Sequence, residues 1–93
     1  MDKVGAIIMD ETDNVATLLS DVKKQDKFQV AIHDRCHVMQ AEESIPFGHK
    51  IALTDIGKGE KIVKYGEVIG EAVTNIKKGT HVHVHNVKSL RTL

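Results

Sequence analysis

The sequence is poor in cysteine, proline and aromatic residues. Its 93 residues include one cysteine, one proline and no tryptophan, and aromatic residues make up 3% of the chain. A single cysteine excludes an internal disulfide and is typical of a reducing compartment, so we expect a cytoplasmic protein. So few aromatic side chains do not provide the stacking surface on which single-stranded nucleic acids bind.

An excess of one charge is also missing. Thirteen basic residues balance thirteen acidic residues, and the lysine pairs at 23–24 and 77–78 have the polar neighbours of a solvated surface. We therefore expect no nucleic-acid partner. No run approaches the roughly 18 apolar residues of a membrane span, and the segment 1–13 is too acidic for a secretory signal. The sequence thus predicts no membrane association.

The sequence is rich in short apolar runs of period two. In FQVAI (28–32), for example, the three apolar side chains at alternate positions would share one face of a strand. Such runs are separated by turns that often contain glycine, a pattern that predicts an all-β protein. We expect one domain over residues 1–93. The exception would be a single helical turn near Leu53–Ile56, where Thr54 or Asp55 would be the cap.

Three segments of the second half share one pattern. IPFGHK (45–50), DIGKGEK (55–61) and NIKKGTH (75–81) each place an isoleucine two or three residues before a glycine, and a strand follows. The isoleucine would anchor a loop to the core, and the glycine would permit a tight turn. Three such corners predict a compact, folded-over arrangement of short strands.

The segment THVHVHNV (80–87) is the first candidate for chemistry. In a strand, His81, His83 and His85 would share one face, while Val82 and Val84 would face the core. Side chains at alternate positions start about 6.6 Å apart, so two adjacent imidazoles can bind one metal ion. The third histidine would be a bystander or a substrate contact. The alternative is a strand whose histidine face is simply exposed to water.

Residues near two glycine turns are further candidates. His49 is the first choice for an additional imidazole, and Lys50 and Lys64 could reach an anionic ligand while Tyr65 adds a hydroxyl. The alternative is that both lysines protect strand edges against aggregation. No glutamate is distinguished as a general base, so the catalytic residue stays unassigned.

The single cysteine, Cys36, is not predicted to be a nucleophile. In a strand, His37 would point to the opposite face, and His33, three residues away, would do the same. We expect a buried or half-buried structural thiol.

Residues 45–89 carry several motifs in order: GHK-x-A-L, then K-Y-G-x-x-I-G, then H-V-H-V-H-N. With these motifs the chain resembles the N-terminal domain of the altronate/galactarate dehydratase family. The same module occurs as the separate small subunit of the related sulfolactate sulfo-lyase. The resemblance implies a β-clip fold of the SAF type, a compact barrel-like domain of short strands.

The resemblance also implies a function. It would make the chain a small subunit or N-terminal domain of a hydro-lyase that dehydrates a sugar acid to a 2-keto-3-deoxy acid, with a divalent metal, typically Fe²⁺, as cofactor. The large catalytic domain or subunit would be the partner, and the chain alone would be inactive. By this resemblance His83 and His85, with His49, are predicted metal ligands. The predicted substrate contacts are Lys50, Lys64, Tyr65 and Asn86, and Asn86 could also fix a histidine tautomer.

Two alternatives to a sugar-acid dehydratase remain open. One is a sulfolactate sulfo-lyase small subunit, and the other is a non-catalytic ligand-binding or assembly module. Either way we expect an exposed apolar or histidine-lined surface near residues 45–50 and 80–87 that receives a partner. A domain of this size has a modest core, so self-association is a further expectation.

Overall fold

The structure, a computed structural model, describes residues 4–33 and 35–90. Within these residues the chain forms short strands and turns, so the predicted all-β class is confirmed. Its radius of gyration is 12.4 Å. The strands are β1 (Val4–Ile8), β2 (Val15–Thr17), β3 (Lys27–Ile32), β4 (Arg35–Gln40), β5 (Lys50–Ala52), β6 (Lys61–Lys64), β7 (Glu67–Ala72), β8 (His81–Val82) and β9 (Val87–Ser89).

The nine strands form three small sheets. Their orders are β1-β3-β4, β2-β5-β8 and β6-β7-β9. The β1–β3 pair is parallel, and the other pairs are antiparallel. The hairpins β3–β4 and β6–β7 stand in separate sheets, while β2, β5 and β8 come from distant parts of the sequence. The sheet β2-β5-β8 places the end of segment 45–50 beside the histidine-rich segment 80–87.

Four copies of one turn connect these strands, which confirms and extends the predicted pattern. We call them corner 1 (22–27), corner 2 (45–50), corner 3 (56–61) and corner 4 (76–81). The fourth residue of each has a positive φ, as position i+2 of a type II turn requires. Its N–H donates to a backbone carbonyl at the end of a strand or directly after it, over 2.7–3.1 Å. These residues are Gln25 (φ 76°), Gly48 (φ 85°), Gly59 (φ 88°) and Gly79 (φ 87°).

The corners associate in pairs. Val22 and Ile45 exchange two backbone hydrogen bonds of 2.9 Å, and Ile56 and Ile76 exchange two of 2.8 and 2.7 Å. The first residue of each corner is an apolar anchor, and the residue before it is polar. The side chain of that polar residue accepts a backbone N–H from the partner corner, which satisfies a donor that the turn leaves unpaired. The donors are backbone N–H groups and the acceptors are side-chain oxygens: Phe47 to Asp21, Lys24 to Ser44, Lys78 to Asp55, and Lys58 to Asn75.

The apolar anchors of the corners belong to the core. Buried apolar side chains form two clusters, one around corners 1 and 2 and one around corners 3 and 4. Burial of these side chains removes apolar surface from water and is the main stabilising contribution. The first cluster contains Leu18, Val22, Phe28, Val30, Ile32, Met39, Ile45 and Ile51, among others. The second contains Val15, Ala52, Ile56, Ile62, Ala72, Ile76 and Val82.

Three local predictions were wrong. The residues Leu53–Ile56 form bends and a β-bridge in place of a helical turn, because Ile56 is the anchor of corner 3. Val84 is 81% exposed, because the strand that was expected to bury it ends at Val82. Cys36 is exposed, because most of β4 faces solvent.

Among residues 4–33 and 35–90, no helix is long and apolar enough to cross a membrane.

Candidate metal centre and adjoining pocket

Corner 2 and strand β8 bring three histidines together. The β5–β8 pairing places Lys50 opposite Val82, so the next step of the antiparallel register places His49 opposite His83. His81 precedes His83 by two residues, and alternate residues of an extended chain share a face. Two of the three histidines, His81 and His83, therefore lie on one chain segment. The third, His49, comes from the segment that pairs with it.

The three rings are close enough to act on one ligand. Nδ1 of His49 lies 2.8 Å from Nε2 of His81, and the ring centroids of His49 and His83 are 4.4 Å apart. Each residue presents a ring nitrogen within 4.8 Å of the others. His85 lies outside this group, with its ring centroid 5.2 Å from that of His81. We call His49, His81 and His83 the histidine cluster.

Asn86 shapes the turn that follows β8. Its Oδ1 accepts the backbone N–H of His83 over 2.9 Å, and its Nδ2 donates to the carbonyl of His81 over 2.8 Å. A backbone hydrogen bond from Asn86 to the His83 carbonyl closes the turn. The chain thus turns away after Val82, which exposes Val84 and returns His85 toward His81. Asn86, which is only 6% exposed, orders the backbone of the histidine cluster.

The surroundings favour neutral imidazoles. Burial is the main cause that lowers the pKa of His81, followed by the charges of His49, His85 and His83, while Glu43 has a weaker opposite effect. The pKa of His83 is lowered too, first by desolvation and then by the charges of His49, Lys50 and His85. The neutral ring is the form that binds metal ions. At neutral pH these two side chains are therefore ready to bind a cation.

The histidine cluster fits a divalent metal ion. Metal–nitrogen bonds of 2.0–2.1 Å place ligand nitrogens about 3.0–3.4 Å apart, so nitrogens within 4.8 Å of one another would have to approach by at most about 1.8 Å. Imidazole suits iron, zinc, copper and nickel. Three neutral ligands leave the charge of the ion uncompensated and leave coordination positions open for a substrate.

The sequence of this domain matches known proteins over nearly its whole length. Residues 4–90 match the altronate/galactarate dehydratase SAF domain. The chain belongs to this family. It is 36% identical over 90 residues to (2R)-sulfolactate sulfo-lyase subunit alpha of Chromohalobacter salexigens, a match that covers 97% of this chain and 87% of the subunit. The resemblance in the second half of the sequence is thereby confirmed and extends through the first half.

Two long enzymes carry the same SAF domain. The chain is 39% identical over 77 residues to altronate dehydratase of Escherichia coli, which covers 83% of this chain and 15% of the enzyme. It is 39% identical over 74 residues to galactarate dehydratase (L-threo-forming) of Escherichia coli, which covers 77% of this chain and 13% of that enzyme. The chain therefore spans only a small part of these dehydratases.

A pocket of about 460 Å³ adjoins the histidine cluster in this SAF domain. Lys50, Lys64, Tyr65 and His83 line it, so three of the predicted substrate contacts share one pocket with a member of the cluster. The Nζ of Lys64 lies 4.5 Å from the ring centroid of Tyr65. The fourth predicted contact, Asn86, is bonded to the backbone as described above, which gives it a structural role. A substrate contact of Asn86 stays a prediction.

The turn between β6 and β7 positions the mouth of this pocket. Tyr65 and Gly66 both have positive φ values, 56° and 74°, as in the two-residue hairpin turns that match strand twist. The N–H of Gly66 donates to Oδ1 of Asp13 over 2.8 Å. A Cβ at position 66 would lie 3.0 Å from Oδ2 of Asp10. Segment 10–14 therefore holds the turn that carries Lys64 and Tyr65.

The structure groups some of the predicted ligands and adds another. It brings His49 and His83 together as expected, but His81 takes the place that was assigned to His85. The available signal was Asn86, since asparagine is depleted in strands and favoured in turns. An asparagine directly after the third histidine indicates that the strand has already ended. Metal binding by these residues stays a prediction.

Proposed function

We propose that this SAF domain is the small subunit or N-terminal domain of a metal-dependent hydro-lyase. Its substrate would be a sugar acid of the altronate or galactarate type, which the enzyme converts to a 2-keto-3-deoxy acid. The observation that carries the proposal is a cluster of three imidazoles beside a pocket with two lysines. Membership of a family that includes altronate and galactarate dehydratases supports it.

In this proposal the histidine cluster holds a divalent ion, with Fe²⁺ as the first choice. When bound, such an ion stabilises the negative charge that develops when a proton next to a carboxylate is removed. His49, His81 and His83 contribute no charge of their own, so the ion keeps its full attraction for the substrate. His83 also lines the pocket, which places the ligand set at its wall.

The remaining roles are divided between this chain and a partner. Lys50 and Lys64 orient the acid through their ammonium groups, and Tyr65 offers a hydroxyl at the mouth of the pocket. We assign the general base to the large catalytic domain or subunit, which would also cover the open side of the pocket. The chain alone is then inactive. The exposed thiol of Cys36 is consistent with a reducing, cytoplasmic setting.

A sulfo-lyase small subunit is the second candidate. The alignment with (2R)-sulfolactate sulfo-lyase subunit alpha covers 87% of that protein, against 15% of altronate dehydratase. Sulfolactate, like a sugar acid, carries a hydroxyl group next to a carboxylate, so the same site would serve. Turnover of (2R)-sulfolactate, altronate and galactarate by the complex with its large partner distinguishes the two candidates.

A metal titration of the purified chain tests the proposed site. We expect one Fe²⁺ or Zn²⁺ ion per chain by calorimetry under anaerobic conditions. Because each cluster histidine supplies one ligand, His49→Ala, His81→Ala and His83→Ala should each weaken binding by about 100-fold.

His85→Ala is the matched control for this titration. It removes the neighbouring imidazole, which lies outside the cluster, and should leave the affinity within about threefold of the original. A His85→Ala chain that loses as much affinity as the His81→Ala chain would show that the assigned ligand set is wrong. If the original chain binds neither ion, the metal-dependent proposal is wrong altogether.

A further inference from the structure

The pocket beside the histidine cluster contains two lysines without an acidic partner. Lys50 and Lys64 both line it, and among residues 4–33 and 35–90 neither has a carboxylate within 4.0 Å. Glu67 lines the same pocket but lies outside that distance. By contrast, Lys61 on the same strand as Lys64 has its carboxylate, Glu71, at 2.7 Å. The two pocket lysines are therefore available for an external anion.

The walls of the pocket make such an anion more favourable. Lys50 and Lys64 line the same pocket of about 460 Å³, so both ammonium groups act on a ligand that binds there. Apolar side chains form much of the wall: Ile62, Val68, Ile69, Val82, Val84 and Val87. The buried and half-buried ones, Ile62, Ile69, Val82 and Val87, lower the local dielectric constant on that side of the pocket, which strengthens attraction to a negative group.

We propose that Lys50 and Lys64 form a binding site for the second acidic group of a substrate with two acidic groups. This inference rests on the proposed function and makes its substrate class more specific. His83 belongs to both the histidine cluster and the pocket wall. A molecule whose first carboxylate and neighbouring hydroxyl meet the cluster therefore extends directly into the pocket. A diacid, such as an aldarate or a sulfonated hydroxy acid, uses both sites with a charged group, whereas a monoacid meets the lysines only with neutral hydroxyl groups.

Galactarate and galactonate form a matched pair of probes. They differ at one terminal carbon, which is a carboxylate in the first and a hydroxymethyl group in the second. With Zn²⁺ present, we expect calorimetry of the chain to show about tenfold tighter binding of galactarate, the effect of one charge-assisted hydrogen bond. Lys50→Met or Lys64→Met should reduce the ratio to within about twofold, because galactarate loses more affinity than galactonate does.

Lys27→Met is the matched control, because Lys27 has the same position in corner 1 that Lys50 has in corner 2 and is exposed. It should keep the tenfold ratio. Equal affinities for the two acids in the original chain, or a ratio that survives Lys50→Met and Lys64→Met together, would overturn the inference.

A titration of the chain with each of the two acids, in the presence of a metal chelator, separates this inference from the proposed function. The lysines do not need the metal, so amide resonances of residues 50 and 64 should still shift with galactarate and shift less with galactonate. Lys50→Met should remove that difference. If this holds while the histidine variants leave metal binding unchanged, the lysine site stands and the metal-dependent proposal does not. If the histidine variants behave as expected but galactarate causes no lysine-dependent shift, the lysine site is wrong.

Discussion

The contact between His49 and His81 illustrates how a single proton controls this site. At 2.8 Å between Nδ1 and Nε2, one ring donates and the other accepts, so the accepting nitrogen carries no proton. A further proton would place two N–H groups against each other, beside the partly buried ring of His83. A bound metal ion would replace the shared proton and would satisfy both nitrogens. The same geometry therefore disfavours protonation and favours metal binding.

This arrangement predicts that the metal-free chain becomes less stable in mild acid. The pKa values of His81 and His83 are lowered in the folded chain, so the unfolded chain binds more protons between those values and about 6.5. Stability is then fully present above pH 6.5 and falls as the pH decreases through the folded-state pKa values. Thermal melts from pH 7.5 to 5 measure this effect. His81→Gln should flatten the profile, while His37→Gln, on exposed β4, should not.

Asn86 is expected to act on metal binding through the backbone. Asn86→Ala removes two hydrogen bonds of a buried side chain and should destabilise the chain by about 1–3 kcal/mol. It should also weaken metal binding, since the His81 and His83 backbone positions are no longer fixed. Asn86→Asp is the matched variant: it keeps the acceptor for the His83 N–H and loses only the donor. The stability measured by denaturation and the metal affinity measured by calorimetry should both lie, for Asn86→Asp, between those of the original chain and those of Asn86→Ala. An Asn86→Ala chain with unchanged stability and metal affinity would contradict this role.

The limits of the sequence at this scale have a physical cause. A glycine turn suggested His49, and alternation along a strand suggested that two adjacent histidines of segment 80–87 could bind one ion. The family resemblance then favoured His83 and His85. Alternation cannot distinguish His81 from His85, because both stand two residues from His83. The distinction depends on where β8 ends, and the bonds of the Asn86 side chain set that end. Exposure of Cys36 was missed for a related reason, since strand patterns do not show which face another sheet will cover.

At the scale of elements, the four corners explain why the chain folds over on itself. Each corner fixes one apolar anchor in the core and directs its N–H and carbonyl groups to a partner corner. Corners 2, 3 and 4 were visible in the sequence because each contains glycine at the position of positive φ. Corner 1 was hidden, because Gln25 has that position. A glutamine gives no signal for a left-handed residue, so one of the four corners could not be predicted.

The exception at corner 1 predicts a stabilising substitution. Gln25 has a φ of 76°, which costs a residue with a Cβ about 1 kcal/mol relative to glycine. Gln25→Gly should therefore stabilise the chain by about 0.5–1 kcal/mol and raise the melting temperature by roughly 2–8 °C. Gly59→Ala is the reciprocal control. A Cβ there meets nothing within 4 Å, so it adds only the backbone cost and should lower stability by a similar amount.

A further comparison separates backbone strain from steric overlap. A Cβ at Gly79 would lie 2.8 Å from the carbonyl oxygen of Gln40. Gly79→Ala should therefore cost clearly more than Gly59→Ala in chemical denaturation. Equal costs would show that the overlap at Gly79 is relieved without strain. A destabilising Gln25→Gly would show that corner 1 does not share the backbone preference of the other corners.

At the scale of the whole molecule, exposed apolar side chains surround the pocket. Tyr65, Val68 and Val84 line it and are 57%, 51% and 81% exposed. Large apolar side chains grouped at a functional site are typical of a surface that a partner covers. We call these three residues the pocket rim. In the proposed complex the rim would contact the large catalytic domain or subunit, which excludes water from the pocket and supplies the base.

The rim leads to a prediction about assembly. Altronate dehydratase of Escherichia coli, with its matching SAF segment deleted, can be supplied with this chain as a separate protein. Turnover of altronate or galactarate then depends on the concentration of the added chain. Val84→Asp places a charge on the contact surface and should raise the half-saturating concentration by about tenfold or more, because burial of an unpaired charge opposes association. The melting temperature of the isolated chain should stay unchanged, since the Val84 side chain is 81% exposed.

Val38→Asp is the matched control for this experiment. Val38 is 57% exposed on β4, away from the pocket, so a charge there should leave the half-saturating concentration unchanged. Equal effects of the two substitutions would indicate that the rim is not the contact surface. If the chain binds the truncated enzyme through the rim but supports no turnover of altronate, galactarate or, with a sulfo-lyase large subunit, sulfolactate, the domain is an assembly module. The histidine cluster would then hold a metal ion without contributing to a reaction.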